Sequence, residues 1–292
     1  MSGADEQRQE AGGATRFAGM RARLEAVTPT RGPAAFFYEF ALFGFKQGWA
    51  CLFGGLLLAL LLATHRWWPP DAPVARYDFL TVAALGIQIA MLAFRLESWA
   101  EAKVILAFHI VGTVMELFKT AHGSWLYPEP GLLRIGDVPL FSGFMYAAVG
   151  SYLARVWRIF DFRFVYYPKP WMTAVLAAAI YVNFFAHHWL PDARLALFAA
   201  IALLYRRTWV HYRPLRVHRR MPLLLGFLLV ALFIWFAENI GTFAHAWTYP
   251  HQRQGWSVVL IGKLGAWYLL IIISFVLVER VHGARGQGCV IR

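Results

Sequence analysis

Pro222-Leu-Leu-Leu-Gly-Phe-Leu-Leu-Val-Ala-Leu-Phe-Ile-Trp-Phe-Ala-Glu-Asn-Ile-Gly-Thr242 is uncharged until Glu238. It is about as long as the roughly 20 helical residues needed to cross a hydrocarbon core about 30 Å thick. A helix of this kind is built for lipid rather than water. Seven further apolar blocks accompany it, at 49–64, 79–94, 102–118, 138–159, 171–186, 194–205 and 258–278. The expected fold is all-α, a polytopic transmembrane helical bundle of about eight spans. The block at 194–205 is the shortest and equally suits a re-entrant or interfacial segment, so seven spans is the alternative.

Composition points the same way. Of 292 residues, 59% are hydrophobic and 15% charged, against about 45–50% and roughly 25% in soluble domains. The net charge of +12 lies between the apolar blocks, where it reads as a topology signal and not as a surface for nucleic acid. Most Lys and Arg residues fall in segments on the N-terminal side of an eight-span arrangement, including the arginine-rich stretch 206–220, which reads as a topogenic loop. The positive-inside rule then places both termini in the cytoplasm, and the family resemblance given below implies that the membrane is the bacterial inner membrane. Residues 1–35 are expected to form a flexible cytoplasmic tail, 36–280 the transmembrane helical domain, and 281–292 a second cytoplasmic tail. No apolar core precedes Phe36, so no cleavable secretory signal is expected. Two cysteines, Cys51 and Cys289, are too few for a disulfide framework.

The chain also echoes itself. In the register that lays Glu116 on Glu238, Thr120, Trp125, Tyr127 and Pro128 fall on Thr242, Trp247, Tyr249 and Pro250. The same register lays Trp49, His65, Trp67 and Pro69 on Trp171, His187, Trp189 and Pro191, and Gly143 and Tyr146 on Gly265 and Tyr268. This pattern predicts two parallel four-span repeats about an axis along the membrane normal, with equivalent residues facing each other.

An ionised carboxylate near the end of a span needs a partner or a proton, so Glu116 and Glu238 are the first candidates for chemistry. Helical spacing puts His109, Gly112, Thr113, Glu116, Lys119 and Thr120 on one side of the third span, and Glu238, Thr242 and His245 on one side of the seventh. Lys263, near the end of the last span, can neutralise either acid. Glu116, Glu238 and Lys263 are therefore the expected catalytic residues. Lys119, Trp125, Tyr127, Asn183, Asn239, His245, Trp247 and Tyr249 are the expected substrate-binding residues. His65 and His187 are candidates for a metal, although no pair of histidines has a tight ligand spacing on one helix. The same Glu, Thr, Trp, Tyr and Pro residues also suit a purely structural role, satisfying backbone groups and anchoring helix ends at the interface. Asn183 equally suits a hydrogen bond between helices, and Gly143, Ala147 and Ser151 suit close helix packing. No phosphate-binding glycine loop, GxSxG elbow, paired CxxC or HExxH is present, which removes NTP-driven transport and the commoner hydrolases.

Several long strings carry a family likeness: Gly112-Thr-Val-Met-Glu-Leu-Phe-Lys119, Gly123-Ser-Trp-Leu-Tyr-Pro-Glu129, Val138-Pro-Leu-Phe-Ser-Gly-Phe-Met-Tyr146 and Val149-Gly-Ser-Tyr152. Ala237-Glu-Asn-Ile-Gly-Thr242, followed by Trp247, Tyr249, Pro250, Gln252, Trp256 and Lys263, continues it. The chain resembles, over roughly residues 36–278, the YoaT-type family of bacterial integral membrane proteins, a domain of unknown function. The resemblance implies a protein of the bacterial cell envelope and supplies no activity. A glutamate followed by such an aromatic turn is also similar to bacterial carotenoid hydratases and small membrane lycopene cyclases, which implies acid catalysis on an isoprenoid. No residue is carried over from them.

The reading that ranks first is a membrane-embedded enzyme acting on an isoprenoid or other lipid by carboxylate acid/base chemistry. A small-solute or ion transporter ranks second, because few polar residues (His109, Gln88, Ser151 and Ser274) continue the path away from the acids. A structural or accessory membrane protein ranks third. The expected partners are the bilayer and a lipid or small-molecule substrate. No motif names a cofactor or an oligomeric state.

Overall fold

The computed structural model describes residues 32–283, so most of both expected tails, and Cys289, lie outside the described residues. Nine α-helices carry the fold among those residues: α1 (Gly32–Ala50), α2 (Leu52–Trp67), α3 (Arg76–Ala93), α4 (Trp99–Ala121), α5 (Phe141–Phe160), α6 (Pro170–Ala186), α7 (Arg194–Tyr205), α8 (Leu223–Phe243) and α9 (Gly262–Gly283). Short strands join them: β1 (Arg134–Ile135), β2 (Val138–Pro139), β3 (Arg163–Val165), β4 (Trp209–Tyr212) and β5 (Arg219–Pro222). Local chemistry sets several boundaries. Ser98 opens α4 with a capping box, accepting from the Glu101 amide while the Glu101 carboxylate accepts from the Ser98 amide. Pro170 sits in the first turn of α6, where its missing N–H is harmless.

Four helices, α3, α4, α8 and α9, are long and apolar enough to cross a membrane, and α1 with α2 forms a fifth such unit bent by 69°. The chain is thus a helical membrane protein. The remaining blocks differ from the sequence expectation for physical reasons. Helix α5 is the most polar of the long helices, carrying Ser142, Ser151 and Arg155 buried in the bundle and Arg158 exposed near its end. Arg155 and Ser151 are buried against Glu97 of the α3–α4 connection, which also takes the Gln88 amide. Helices α6 and α7 are apolar but shorter, at 17 and 12 residues. The described residues open with α1, which presents Phe36, Phe37, Phe40 and Phe45 outward before the chain turns at Cys51.

The closest helix pair is α4 with α5, made possible by glycines on both sides. Gly112 lies under the Tyr146 ring, Gly143 against His109 and Thr113, and Gly150 against Phe108. A Cβ at any of the three would fall within 3 Å of those side chains. Helix α8 packs on α9 in turn, and α9 also covers α5 and α6.

The two ends of the bundle differ. At one end β3, β4 and β5 form an antiparallel sheet in the order β3-β4-β5, so the arginine-rich stretch is a hairpin and not an open loop. Arg219 on β5 pairs with Glu39 on α1. At the other end, where α4 and α8 both finish, the two helices close with the same turn. Gly123 and His245 both take the left-handed conformation, at φ 67° and 52°. Ser124 N–H donates to the Lys119 carbonyl, and Ala246 N–H donates to that of Gly241. Beyond these turns Leu126 and Thr248 form an isolated antiparallel bridge, and a buried cluster gathers Leu61, Tyr77, Trp125, Phe141, Trp247, Tyr249 and Val259 around it.

Candidate functional site

Each of the two acids sits at the C-terminal end of a long helix, and each is enclosed by aromatic hydrogen-bond donors. Glu116 on α4 accepts from Trp125 Nε1 (2.7 Å) and the Tyr127 hydroxyl (2.7 Å) on one oxygen, and from the Tyr146 hydroxyl (2.8 Å) on the other. Glu238 on α8 accepts from the Tyr249 hydroxyl on one oxygen and from Trp267 Nε1 (2.7 Å) on the other. Both carboxylates are buried. These donors satisfy the carboxyl oxygens that burial takes away from water.

The two enclosures share walls. Trp125, which serves Glu116, meets the Tyr249 ring, which serves Glu238, edge-on at 6.0 Å. Tyr146, which serves Glu116, and Trp267, which serves Glu238, stand 6.1 Å apart with their rings tilted by 41°. Lys263 of α9 places its ammonium over both rings of the first pair, 4.5 Å from the Trp125 centroid and 4.3 Å from that of Tyr249. It attracts both glutamates from that position. An ammonium over two aromatic faces is stabilised electrostatically, the more so when desolvated.

Arg76, buried at the start of α3, fixes the roof. Its guanidinium donates to the carbonyls of Leu61 (3.2 Å) and Ala244 (2.8 Å), to Thr64 (3.0 Å) and to Glu129 (2.6 Å). The Tyr77 hydroxyl donates to the Ala246 carbonyl at 3.1 Å. The loops carrying Tyr127 and Tyr249 are therefore tied to α2, α3 and each other. Burial, and the adjacent glutamates, push both of those hydroxyls well above the usual tyrosine range, so they act as donors.

A cavity of about 1020 Å³ opens below this roof and continues toward the sheet end. Its glutamate end is lined by Glu116, Glu238, Lys119, Lys263, Arg194 and Asn183. Its longer arm is apolar, running between Gly54, Gly55 and Leu58 of α2 and Gly226, Leu229 and Phe233 of α8, and reaching Phe43 and Tyr212. This is the upper end of the size range for small-molecule sites, with the usual division into an apolar body and a few polar groups.

Most of the residues expected from sequence come together here. Glu116, Glu238, Lys263, Lys119, Trp125, Tyr127, Asn183, His187, Trp247 and Tyr249 all line the one cavity. Lys119 bonds the Nε2 atoms of His187 (3.3 Å) and His188 (3.0 Å). Three residues take other roles. The Asn183 amide oxygen accepts from the Ala193 N–H, tying the α6–α7 turn. Asn239 caps its own helix by donating to the Trp235 carbonyl and accepts from the Val259 N–H. His245 forms the left-handed turn and lies 5.2 Å from the His65 ring. The metal pair does not assemble. His65 at the end of α2 meets His245 and Phe243, whereas His187 at the end of α6 meets Lys119 and His188. No group of three potential ligands forms among the described residues. His65 and His187, aligned in the sequence echo, lie at the ends of two different helices, α2 and α6.

Sequence reasoning did not single out Trp267, Tyr146 as a glutamate donor, Arg76 or Arg194. Trp267 follows Lys263 by one helical turn and so shares its face, a spacing that marks it.

The family model described as "Protein of unknown function (DUF817)" matches residues 39–275. YoaT of Bacillus subtilis (strain 168), itself described as uncharacterized, is 44% identical over 246 residues, which are 84% of this chain and 92% of that protein. A solved structure of a cross-linked MvINS trimer aligns with a TM-score of 0.45 at 13% identity, covering 64% of this chain and 96% of its own. A likeness at that level carries no argument.

Proposed function

Because the chain belongs to the DUF817 family, and membership brings no activity with it, we propose a function from the site itself: a membrane-embedded enzyme that acts on an isoprenoid or other lipid by carboxylate acid/base chemistry. The observation that carries the reading is the two-part cavity, in which an apolar arm leads to a pair of enclosed glutamates. The arm suits a hydrocarbon chain, and the glutamate end suits a polar group on that chain. One carboxylate takes a proton while the other side of the chamber supplies one, with the Tyr127, Tyr146 and Tyr249 hydroxyls bonded to the acids.

The wider arrangement belongs to the same proposal. We read α1 with α2, α3, α4 and α5 as one repeat and α6 to α9 as the other, making eight crossings with both termini in the cytoplasm of a bacterial cell. The matching helix-end turns at Gly123 and His245 and the Leu126–Thr248 bridge support the repeat. The arginine-rich hairpin at the sheet end supports the orientation.

The test compares host lipids by untargeted mass spectrometry in a deletion strain complemented with wild type, Glu116→Gln or Glu238→Gln. The expected result is a lipid change on deletion that wild type reverses and neither variant reverses. A lipid profile unchanged by deletion overturns the reading. Transport of a small solute is the second reading, favoured by the cavity's reach from Lys119 to Tyr212. Solute flux in proteoliposomes separates the two.

A further inference from the structure

The charges lining the cavity are Glu116, Glu238, Lys119, Lys263 and Arg194, all at the glutamate end. Two carboxylates face two ammonium groups, and Arg194 is already engaged by Asp192. Both glutamates and Lys263 also have neutral partners. Donors surround both glutamates, and ring faces lie beneath Lys263.

Lys119 is supplied by histidine acceptors. His187 Nδ1 lies 2.9 Å from the Asn183 carbonyl, to which it can only donate, which leaves Nε2 to face the Lys119 ammonium. The formal charges of the chamber, two carboxylates and two ammonium groups beside the Arg194–Asp192 pair, therefore cancel before any ligand enters. A phosphate or diphosphate head would add negative charge to a set that already sums to zero, in a setting where unpaired charge is costly. A hydroxyl or carbonyl head adds no charge, and it finds hydrogen-bonding groups in Ser124, Asn183 and Lys119 on the same wall.

We propose that the ligand is an uncharged, oxygen-bearing long-chain amphiphile, such as an alcohol, and not its phosphorylated form. This rests on the lipid reading above and narrows it to one class of headgroup.

The experiment uses the full chain in lipid nanodiscs, with geranylgeraniol and geranylgeranyl diphosphate as probes and quenching of tryptophan fluorescence as readout, since Trp125 and Trp267 line the cavity. The alcohol is expected to bind at least about tenfold more tightly than the diphosphate. Glu238→Gln, which leaves a lysine in excess, is expected to narrow that gap by about tenfold, and Glu116→Gln to do the same. Where a variant fails to fold, the wild-type comparison decides. Diphosphate binding as tight as that of the alcohol, or a gap that folded variants leave unchanged, overturns the inference while the lipid reading stands. Binding of neither probe overturns both.

Discussion

Leu126 and Thr248 exchange both backbone hydrogen bonds, at 3.0 and 2.9 Å, and each is the other's counterpart in the register that lays Glu116 on Glu238. A reciprocal bridge between equivalent residues is what a local two-fold axis between them produces. The bridge thus holds the two aromatic loops, and through them the two acids, in matched positions. Thr248→Pro removes one of its two donors. We expect a loss of about 1–3 kcal/mol, the range for a partner left unsatisfied, read as a lowered unfolding temperature in detergent.

Glu116 has three donors and Glu238 has two. Tyr249→Phe should therefore destabilise more than Tyr127→Phe, each within about 1–3 kcal/mol. Combining Tyr249→Phe with Glu238→Gln should give less than the sum of the single effects by about 0.5–3 kcal/mol, because the two groups share one bond. Strict additivity in that double-mutant cycle would contradict the contact.

Two glycines at opposite extremes of crowding offer a paired test. At Gly112 a Cβ would lie 2.5 Å from Tyr146, but at Gly55 nothing lies within 4 Å. Gly112→Ala should cost about 1–3 kcal/mol by forcing Tyr146 away from Glu116. Gly55→Ala should instead gain about 0.5–1 kcal/mol from helix propensity alone. Thermal unfolding of both variants checks the contrast.

Gly123 takes φ 67° with open space around it. Gly123→Ala should accordingly cost about 1–2 kcal/mol from backbone strain and nothing from collision. Stability equal to wild type would show that the turn after α4 has relaxed into another shape.

The loop after α6 predicts a pH response. Burial, then Lys119, His187 and His122, hold His188 below the ordinary histidine value of 6.5. Its proton binds the unfolded chain more readily, so its contribution to stability is complete above 6.5 and falls away as pH drops below it. Asp192 behaves differently. Its burial is outweighed by the Arg194 amide and guanidinium, so its carboxyl lies below 3.8, and its contribution is lost only in stronger acid. Thermal unfolding between about pH 7.5 and 5 should therefore show a loss of stability that His188→Gln reduces. An unchanged acid slope in that variant would count against the assignment.

Much of the site could be read before any coordinates because its chemistry is local to helix ends. Glu116, Trp125 and Tyr127 lie within a few turns of one another, and the echo supplied Glu238 and Tyr249. Trp267 escaped because the echo aligns Tyr146 with Tyr268, whereas the second enclosure uses the neighbouring residue. The fold was harder to read where tertiary contact overrides composition. The apolar stretch before Cys51 folds as a separate helix because Glu39, Phe43 and Lys46 anchor it on the sheet, through Arg219, Tyr212 and the Pro214 carbonyl. Strand β4 is hidden by arginines on either side, and only its pairing with β3 and β5 reveals it. Gln88 and Ser151, read as steps on a solute path, instead complete the buried partners of Glu97, away from the cavity.

The long arm between Gly54 and Leu58 on one side and Leu229 and Phe233 on the other is lined there by apolar side chains and glycine, which offer an ion little in exchange for its hydration shell. On the lipid reading, hydrocarbon fills that hollow and no current crosses it, so a cell can hold many copies of the protein and keep its proton gradient for other uses.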